Sequence, residues 1–344
     1  MATGVSIEIL DLRHFEAPIL RPVLDAEGEV WKQRLHWDYR TSSKLLMQYL
    51  DSHMLPGYVA LEGGQITGYA FCVYEETKAV IGDVFALRGQ PSGMDGPPGP
   101  GFTAALPAPA PAPAHEIEQT LLKHLFETLL NSPHVDRVES QLLIHPSGSH
   151  AGTFREAGFK VFRRLFMVQA LHTLWSQPQV DLAHGLELRA WRDEDLTPAG
   201  QLISEAYRDH PDSVINDQYR SVHGSQRFLH NIVRYSGCGT FSAQASHVVV
   251  NRQSRELVAL VLGSRVSAES GHITQLCVHP AYRRHGLARL LLSVSAFHFM
   301  RHGATEISLT VTESNVKAID LYISEGYTYT HTFDAAVWQR GQRA

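Results

Sequence analysis

The chain reads as a duplicated α/β (α+β) domain. Three observations carry that reading. The same order of strands and helices runs twice along the sequence, short stretches of the two halves superpose residue by residue, and a soft, proline-containing segment separates them. Phe154-Arg-Glu-Ala-Gly-Phe159 lies over Tyr322-Ile-Ser-Glu-Gly-Tyr327. Val138-Glu-Ser-Gln-Leu142 lies over Ile307-Ser-Leu-Thr-Val311, and Gly82-Asp-Val-Phe-Ala-Leu87 over Thr274-Gln-Leu-Cys-Val-His279. Element order and residue spacing agree together, which chance seldom produces. The boundary falls between Leu171 and Gly185, giving domains at 1–172 and 186–344.

In the first half, apolar alternation predicts a strand near Val5–Leu10, followed by helical periodicity to about Ser52. Strands follow at Tyr58–Glu62, Gln65–Tyr74 and Ala79–Leu87. From Gly89 to Ala114 the chain is dense in proline, alanine and glycine, which suits neither a helix interior nor a central strand. It reads as a polyproline-like or mobile insertion. A helix at His115–Asn131, a strand at Arg137–Ile144, a short helix near Ala151–Glu156 and a strand from Phe159 close the half.

The second half repeats the order. Leu186–Ala190 is a strand, and Trp191-Arg-Asp-Glu-Asp195 opens a helix running to about Arg208. Gln218–Tyr235 reads as another helix. Strands are expected at His247–Asn251, Glu256–Val266 and Gly271–Val278, then a glycine loop and a helix at Gly286–His302. A strand at Glu306–Thr312, a helix at Asn315–Glu325 and two strands, Tyr327–Phe333 and Ala335–Gln339, complete it.

Composition narrows the class. A net charge of -5 argues against a general nucleic-acid binder. No apolar run reaches the roughly 20 residues that span a bilayer, and the first residues lack the basic and apolar regions of a signal peptide. The expectation is a cytoplasmic protein without a membrane partner, acting as a monomer or homodimer. Cys72, Cys238 and Cys277 are widely spaced and odd in number, so they predict neither a disulfide framework nor a metal set. The 20 histidines are scattered with no HExxH, and no metal site is expected from their spacing.

The most informative stretch runs from Ile273 to Leu292: a strand, a short basic glycine loop and the first turns of a helix. Such a junction aims backbone N–H groups at one point, and the helix dipole adds partial positive charge there. It suits a phosphate or pyrophosphate. The loop lacks the Gly-x-x-x-x-Gly-Lys-Ser/Thr of a P-loop and the three glycines of a dinucleotide fold.

Arg283-x-x-Gly286-x-Ala288, preceded by Val278-His-Pro-Ala-Tyr282, resembles the acyl-CoA motif of the GNAT N-acetyltransferase family, Arg/Gln-x-x-Gly-x-Gly/Ala. A strand ending Leu309-Thr-Val-Thr312, then Asn315, Ala318 and Leu321-Tyr322 before Gly326-Tyr327, adds further family features in the right order. The resemblance covers about residues 186–340. It implies a mixed, mostly antiparallel sheet flanked by helices, acetyl-CoA as co-substrate, and transfer of an acetyl or acyl group to a small-molecule or peptide amine. It places the pyrophosphate on the amides of Arg284, His285, Gly286, Leu287, Ala288 and Arg289, with Arg283, Arg284 and Arg289 adding charge or remaining solvated helix-end side chains. It gives the main chain of Cys277 and Val278 the pairing with pantetheine, so that Cys277 needs no thiol chemistry. Tyr322 is implied as the proton donor to the departing thiolate, against the alternative of a packed aromatic. Asn315 is a helix cap, a CoA contact or both.

No residue is assigned as general base. Gln275 stands where many relatives place a glutamate, and relays from Glu313 or His247 stay open. The acceptor side falls on Tyr207–Tyr235, with Asp209, His210, Asp212, Asp217, Tyr219 and His223 able to hold a cationic amine or to form a solvated loop. The first half has no Arg-x-x-Gly-x-Ala, Phe154 stands in place of the tyrosine, and Ser147 stands opposite Asn315. Only the second half is therefore expected to bind acyl-CoA productively, the first acting as a structural partner. The alternative is a non-catalytic CoA sensor or scaffold of the same fold.

Overall fold

The computed structural model describes residues 7–88, 113–172, 178–235, 237 and 239–342. Most of the low-complexity insertion, the start of the first expected strand, Ser176 in the inter-half segment, and Cys238 lie outside the described residues.

The first half runs β1 (Glu8–Asp11), α1 (Ala17–Leu35), α2 (Arg40–Asp51), β2 (Gly57–Glu62), β3 (Gln65–Glu75), β4 (Lys78–Ala86), α3 (Ala114–Asn131), β5 (Arg137–Gln141), α4 (Ala151–Glu156) and β6 (Lys160–Ala170). The second runs β7 (Leu186–Ala190), α5 (Leu196–Ala206), α6 (Asp212–Ile215), α7 (Val222–Arg234), β8 (Thr240–Phe241), β9 (His247–Asn251), β10 (Leu257–Arg265), β11 (Ser270–Val278), α8 (Leu287–Arg301), β12 (Glu306–Thr312), α9 (Val316–Ser324) and β13 (Thr328–Gln339). The element order expected from the repeat is present. The helical text before Ser52 is two helices, because His36 turns left-handed at φ 57° and ends the first. The two strands expected at the C-terminus are one, β13, with an irregularity between Tyr329 and His331 that carries the chain through what read as a break. β8 was not foreseen, since two residues carry no periodicity.

The described strands form one sheet in the order β1-β2-β3-β4-β5-β13-β6-β12-β11-β10-β9-β7, with β8 on β10. Its centre is an exchange. β13, from the end of the second half, lies antiparallel on β5 of the first. β6, from the end of the first, lies antiparallel on β12 of the second, and β6 and β13 pair with each other. The cores record the same exchange. Leu165 and Met167 of β6 are buried with Leu291, Phe299 and Leu309. Ala336 of β13 is buried with Leu121, Phe126 and Phe154. Each half thus completes its hydrophobic core with the other's last strand.

Helices cover both faces. In the second half α8 buries Leu287, Leu291, Leu292, Ala296 and Phe299 on one face of the sheet. Ala199, Leu202 and Ile203 of α5 and Leu229 of α7 pack on the other, against Leu260 and Cys277. This spacing at three to four residues is what a half-buried helix needs.

Candidate active site

The site begins where two parallel strands part. β11 pairs with β12 only over Ser270–Ile273 against Glu306–Leu309. From there to Val278 it keeps β10 as its partner on one side. The other edge of Thr274–Val278 faces a wedge-shaped opening with no strand partner among the described residues. That edge holds the main chain of Cys277 and Val278. The phenol of Tyr207 reaches it, donating to the carbonyl of Leu276 at 3.5 Å. Burial pushes the Cys277 thiol well above the usual range, so it stays protonated and a poor nucleophile.

At the mouth of the wedge the chain turns through Pro280–Tyr282, held by His279 accepting the Ala281 N–H. Arg284 and Gly286 then take left-handed backbone angles, φ 69° and 77°. The turn presents Gly286 as the N-cap of α8 with no side-chain cap. The first N–H groups of α8, on Leu287, Ala288 and Arg289, have no acceptor inside the helix. They form the positive end of its dipole. Nothing lies within 4 Å of where a Cβ on Gly286 would be, so the backbone angle alone demands glycine there. The loop arginines divide. Arg283 donates to the carbonyls of Val278 at 3.2 Å and Ala206 at 2.8 Å, stapling the loop to β11 and α5. Arg289 pairs with Glu325 at 2.8 Å and donates to Ser324 at 3.0 Å, tying α8 to α9. Arg284 and His285 are exposed beside the bare helix end.

Asn315 caps α9 by accepting the Ala318 N–H at 3.3 Å, and its amide nitrogen lies 3.3 Å from His210 Nε2. Tyr322, two turns on, is 9 % exposed, with its ring 5.8 Å from that of Tyr327. Burial, and next the charge of Asp212, push its phenol above the ordinary range; Arg164 opposes them. The phenol therefore holds its proton at neutral pH. Burial lowers His210, which keeps that imidazole neutral. Thr312 donates to Asp212 Oδ1 at 2.5 Å at the end of β12. Gln275 is 4 % exposed, and its amide nitrogen has no partner among the described residues. Of the residues raised as relays, Glu313 is exposed and paired with Arg163, and His247 stands against His298 on α8.

Four contributors were not legible. Arg164 reaches this site because β6 crosses from the first half; it donates to Thr310 at 3.4 Å and to Gln141 at 2.6 Å. Lys78 and Arg137, at the start of the parallel pair β4–β5, grip the segment from Val214 to Asp217. Lys78 donates to Asp217 at 2.8 Å, and Arg137 to the carbonyl of Val214 at 2.5 Å. Glu139 accepts both Arg137 at 2.6 Å and the Asp217 N–H at 3.1 Å. Buried ionic groups of this kind were signalled only by charges inside apparent strands. The segment so held lines a cleft of about 630 Å³ with Tyr207, His210, Pro211, Val214 and Arg220.

Residues 201–327 match the acetyltransferase (GNAT) family. No curated protein sequence matches the chain. Among solved structures, the chain is similar to a GCN5-related N-acetyltransferase from Sphaerobacter thermophilus, at 14% identity and TM-score 0.60, over 98% of each chain. It is similar to a tandem GNAT protein from the clavulanic acid biosynthesis pathway, at 14% identity and TM-score 0.56, over 98% of this chain and 100% of that one. A Drosophila protein shares the fold at TM-score 0.58 and 14% identity, over 98% and 100%. No described helix is long and apolar enough to cross a membrane. Residues 201–327 are an acetyltransferase domain of the GNAT family, set in a chain whose whole length has the fold of tandem GNAT proteins.

Proposed function

We propose that this protein is an N-acyltransferase that moves an acetyl or similar acyl group from acyl-CoA to an amine, in the cleft of its second half. The observation that carries the reading is the wedge between β11 and β12 with the uncapped start of α8 at its mouth. An anion needs the free N–H groups of Leu287–Arg289, and an extended amide-bearing chain needs the free edge at Cys277 and Val278. The orphaned amide of Gln275 supports the fit, because a buried donor without a partner is one that a ligand satisfies.

Acetyl-CoA supplies an activated acyl thioester. The protein's part is to hold the two reactants together and manage two protons. Tyr322 keeps its proton at neutral pH and so can act as an acid toward a departing thiolate. The amine enters by the cleft at Tyr207–Arg220, which Asp209 and His210 line, the imidazole held neutral with its Nδ1 accepting the Asp212 N–H. The first half keeps the fold without the cofactor loop and serves to hold the acceptor segment through Lys78, Arg137 and Glu139.

The test uses the full chain, because each half needs the other's last strand. Calorimetric titration with acetyl-CoA is expected to give one site per chain, and a panel of small amines and peptides is expected to release free thiol with at least one member. Absence of acetyl-CoA binding overturns the reading. Binding at one site with no transfer to any amine gives the protein to the sensor class instead, a reading that Gln275 in place of a carboxylate favours.

A further inference from the structure

Beside Val84 and Ala86 of β4, the first half holds a set of side chains that the acyltransfer reading does not use. His115 and Glu118 lie on the first turn of α3, His145 in the β5–α4 connection, and His150 at the start of α4. His145 Nδ1 lies 3.2 Å from His150 Nε2, which lies 3.3 Å from Glu118 Oε2; the third side, His145 Nδ1 to Glu118 Oε2, is 3.8 Å. A zinc ion with bonds of about 2.0–2.2 Å spaces its tetrahedral donors roughly 3.3–3.5 Å apart. His115 stacks on His150 at 5.1 Å between ring centres, and its donor lies within 4.8 Å of those of Glu118 and His150.

Two of the donors, His145 and Glu118, have the outer contacts that a metal site needs. His145 Nε2 sits 2.8 Å from the carbonyl of Val84, which can only accept. The proton is therefore on Nε2, and the Nδ1 lone pair faces the cluster. Glu118 Oε1 takes the Ala86 N–H at 3.3 Å, leaving Oε2 for the centre. His150 is 3 % exposed, and its Nδ1 has no partner among the described residues. The nitrogen that faces the cluster is its Nε2, 3.2 Å from His145 Nδ1 and 3.3 Å from Glu118 Oε2, which can offer a lone pair when Nδ1 carries the proton.

We propose that His115, Glu118, His145 and His150 form a binding site for a divalent first-row transition ion, with zinc as the best match to three imidazoles and one carboxylate. The ion clamps the first turn of α3 to the β5–α4 connection. Sequence spacing gave no warning, because the donors come from three separate elements, and only the pair His115/Glu118 sits at a regular helical interval.

The test is zinc titration of the full chain, free of any histidine tag, against a chromophoric chelator, with cobalt(II) as a spectroscopic probe. One zinc per chain and the intense visible bands of four-coordinate cobalt are expected. His150→Asn and Glu118→Gln should weaken binding by about 100-fold or more, at or beyond what losing an outer contact costs. His115→Asn, on an exposed residue, keeps the fold and should still weaken binding and alter the cobalt spectrum. Zinc held equally well by the variants overturns the proposal, since it would then belong to scattered surface histidines. So does the absence of stoichiometric binding, which would make the cluster a self-contained proton-sharing network.

Discussion

The two halves open the same wedge and fill it differently. β4 leaves β5 after Ile81 and Ser140, and β11 leaves β12 after Ile273 and Leu309. These are the positions that the sequence repeat superposes. In the first half the opening is closed by its own side chains. Phe71 covers Gly82 so tightly that an added Cβ would meet the ring at 2.2 Å. Glu27 and Asp83 are buried together, and the phenyl ring of Phe154 packs between Phe126 and Phe159. In the second half the edge of β11 beyond Ile273 has no strand partner among the described residues, α8 starts with no side-chain cap, and Tyr322 occupies the place of Phe154. One backbone design therefore yields either a filled core or an open wedge, according to a handful of side chains.

The sharpest break in that comparison is one oxygen atom. Tyr322→Phe makes the second cleft match the first at this position. It is expected to lower kcat by roughly 100-fold or more, the scale of a lost general acid, with the KM for acetyl-CoA unchanged. Steady-state kinetics with thiol detection decides it, and an unchanged kcat would reduce Tyr322 to a packing residue. The converse change, Phe154→Tyr, should add no activity and should destabilise the fold, because a phenol would be buried among Phe126 and Phe159 without a partner.

Two glycines separate filled from open space. Gly82→Ala pushes a methyl into the Phe71 ring, and overpacking of this kind costs about 1–3 kcal/mol. Its denaturation midpoint should fall while acetyl-CoA affinity holds. Gly286→Val has room for its side chain, but φ 77° costs it about 1–2 kcal/mol. The loop relaxes away from its binding shape, so calorimetry should show acetyl-CoA held about tenfold more weakly. If both variants lost stability alike and neither lost affinity, the contrast between the clefts would fail.

Much of this was legible because it is local. The pattern of apolar residues placed most of the strands and helices, and the repeat placed corresponding elements of the two halves in the same order. Arg283, Gly286 and Asn315 declared a turn chemistry that short-range sequence carries well. What stayed hidden is non-local. The exchange of β6 and β13 leaves no trace in periodicity, since either strand suits either neighbour. With it went Arg164, which reaches Tyr322 only through the exchange. The grip of Lys78 on Asp217 and of Arg137 on Val214 joins residues 139 and 77 positions apart, and nothing local announces it.

The smallest predicted effect probes how completely the first cleft has become core. Glu27 is fully buried, accepting from Trp31 Nε1 at 3.1 Å and from the Tyr69 phenol at 2.5 Å. Burial first, and the charge of Asp83 next, hold its carboxyl well above the usual range, against the two hydrogen bonds that favour ionisation. The sign follows from linkage. Below the ordinary carboxylate pKa of about 4.3, Glu27 is protonated folded or unfolded, and its contribution to stability is fully present. As pH rises past that value the unfolded chain ionises and the folded one does not, so stability drains away until the folded pKa is reached. Glu27→Gln cannot ionise in either state. The stability of the variant relative to the wild type should therefore climb as pH rises from about 4 toward neutrality, which paired urea titrations across that range would measure. A difference that stays flat with pH would mean that Glu27 is charged in the folded protein, and that the first cleft still holds an anion where a core should be.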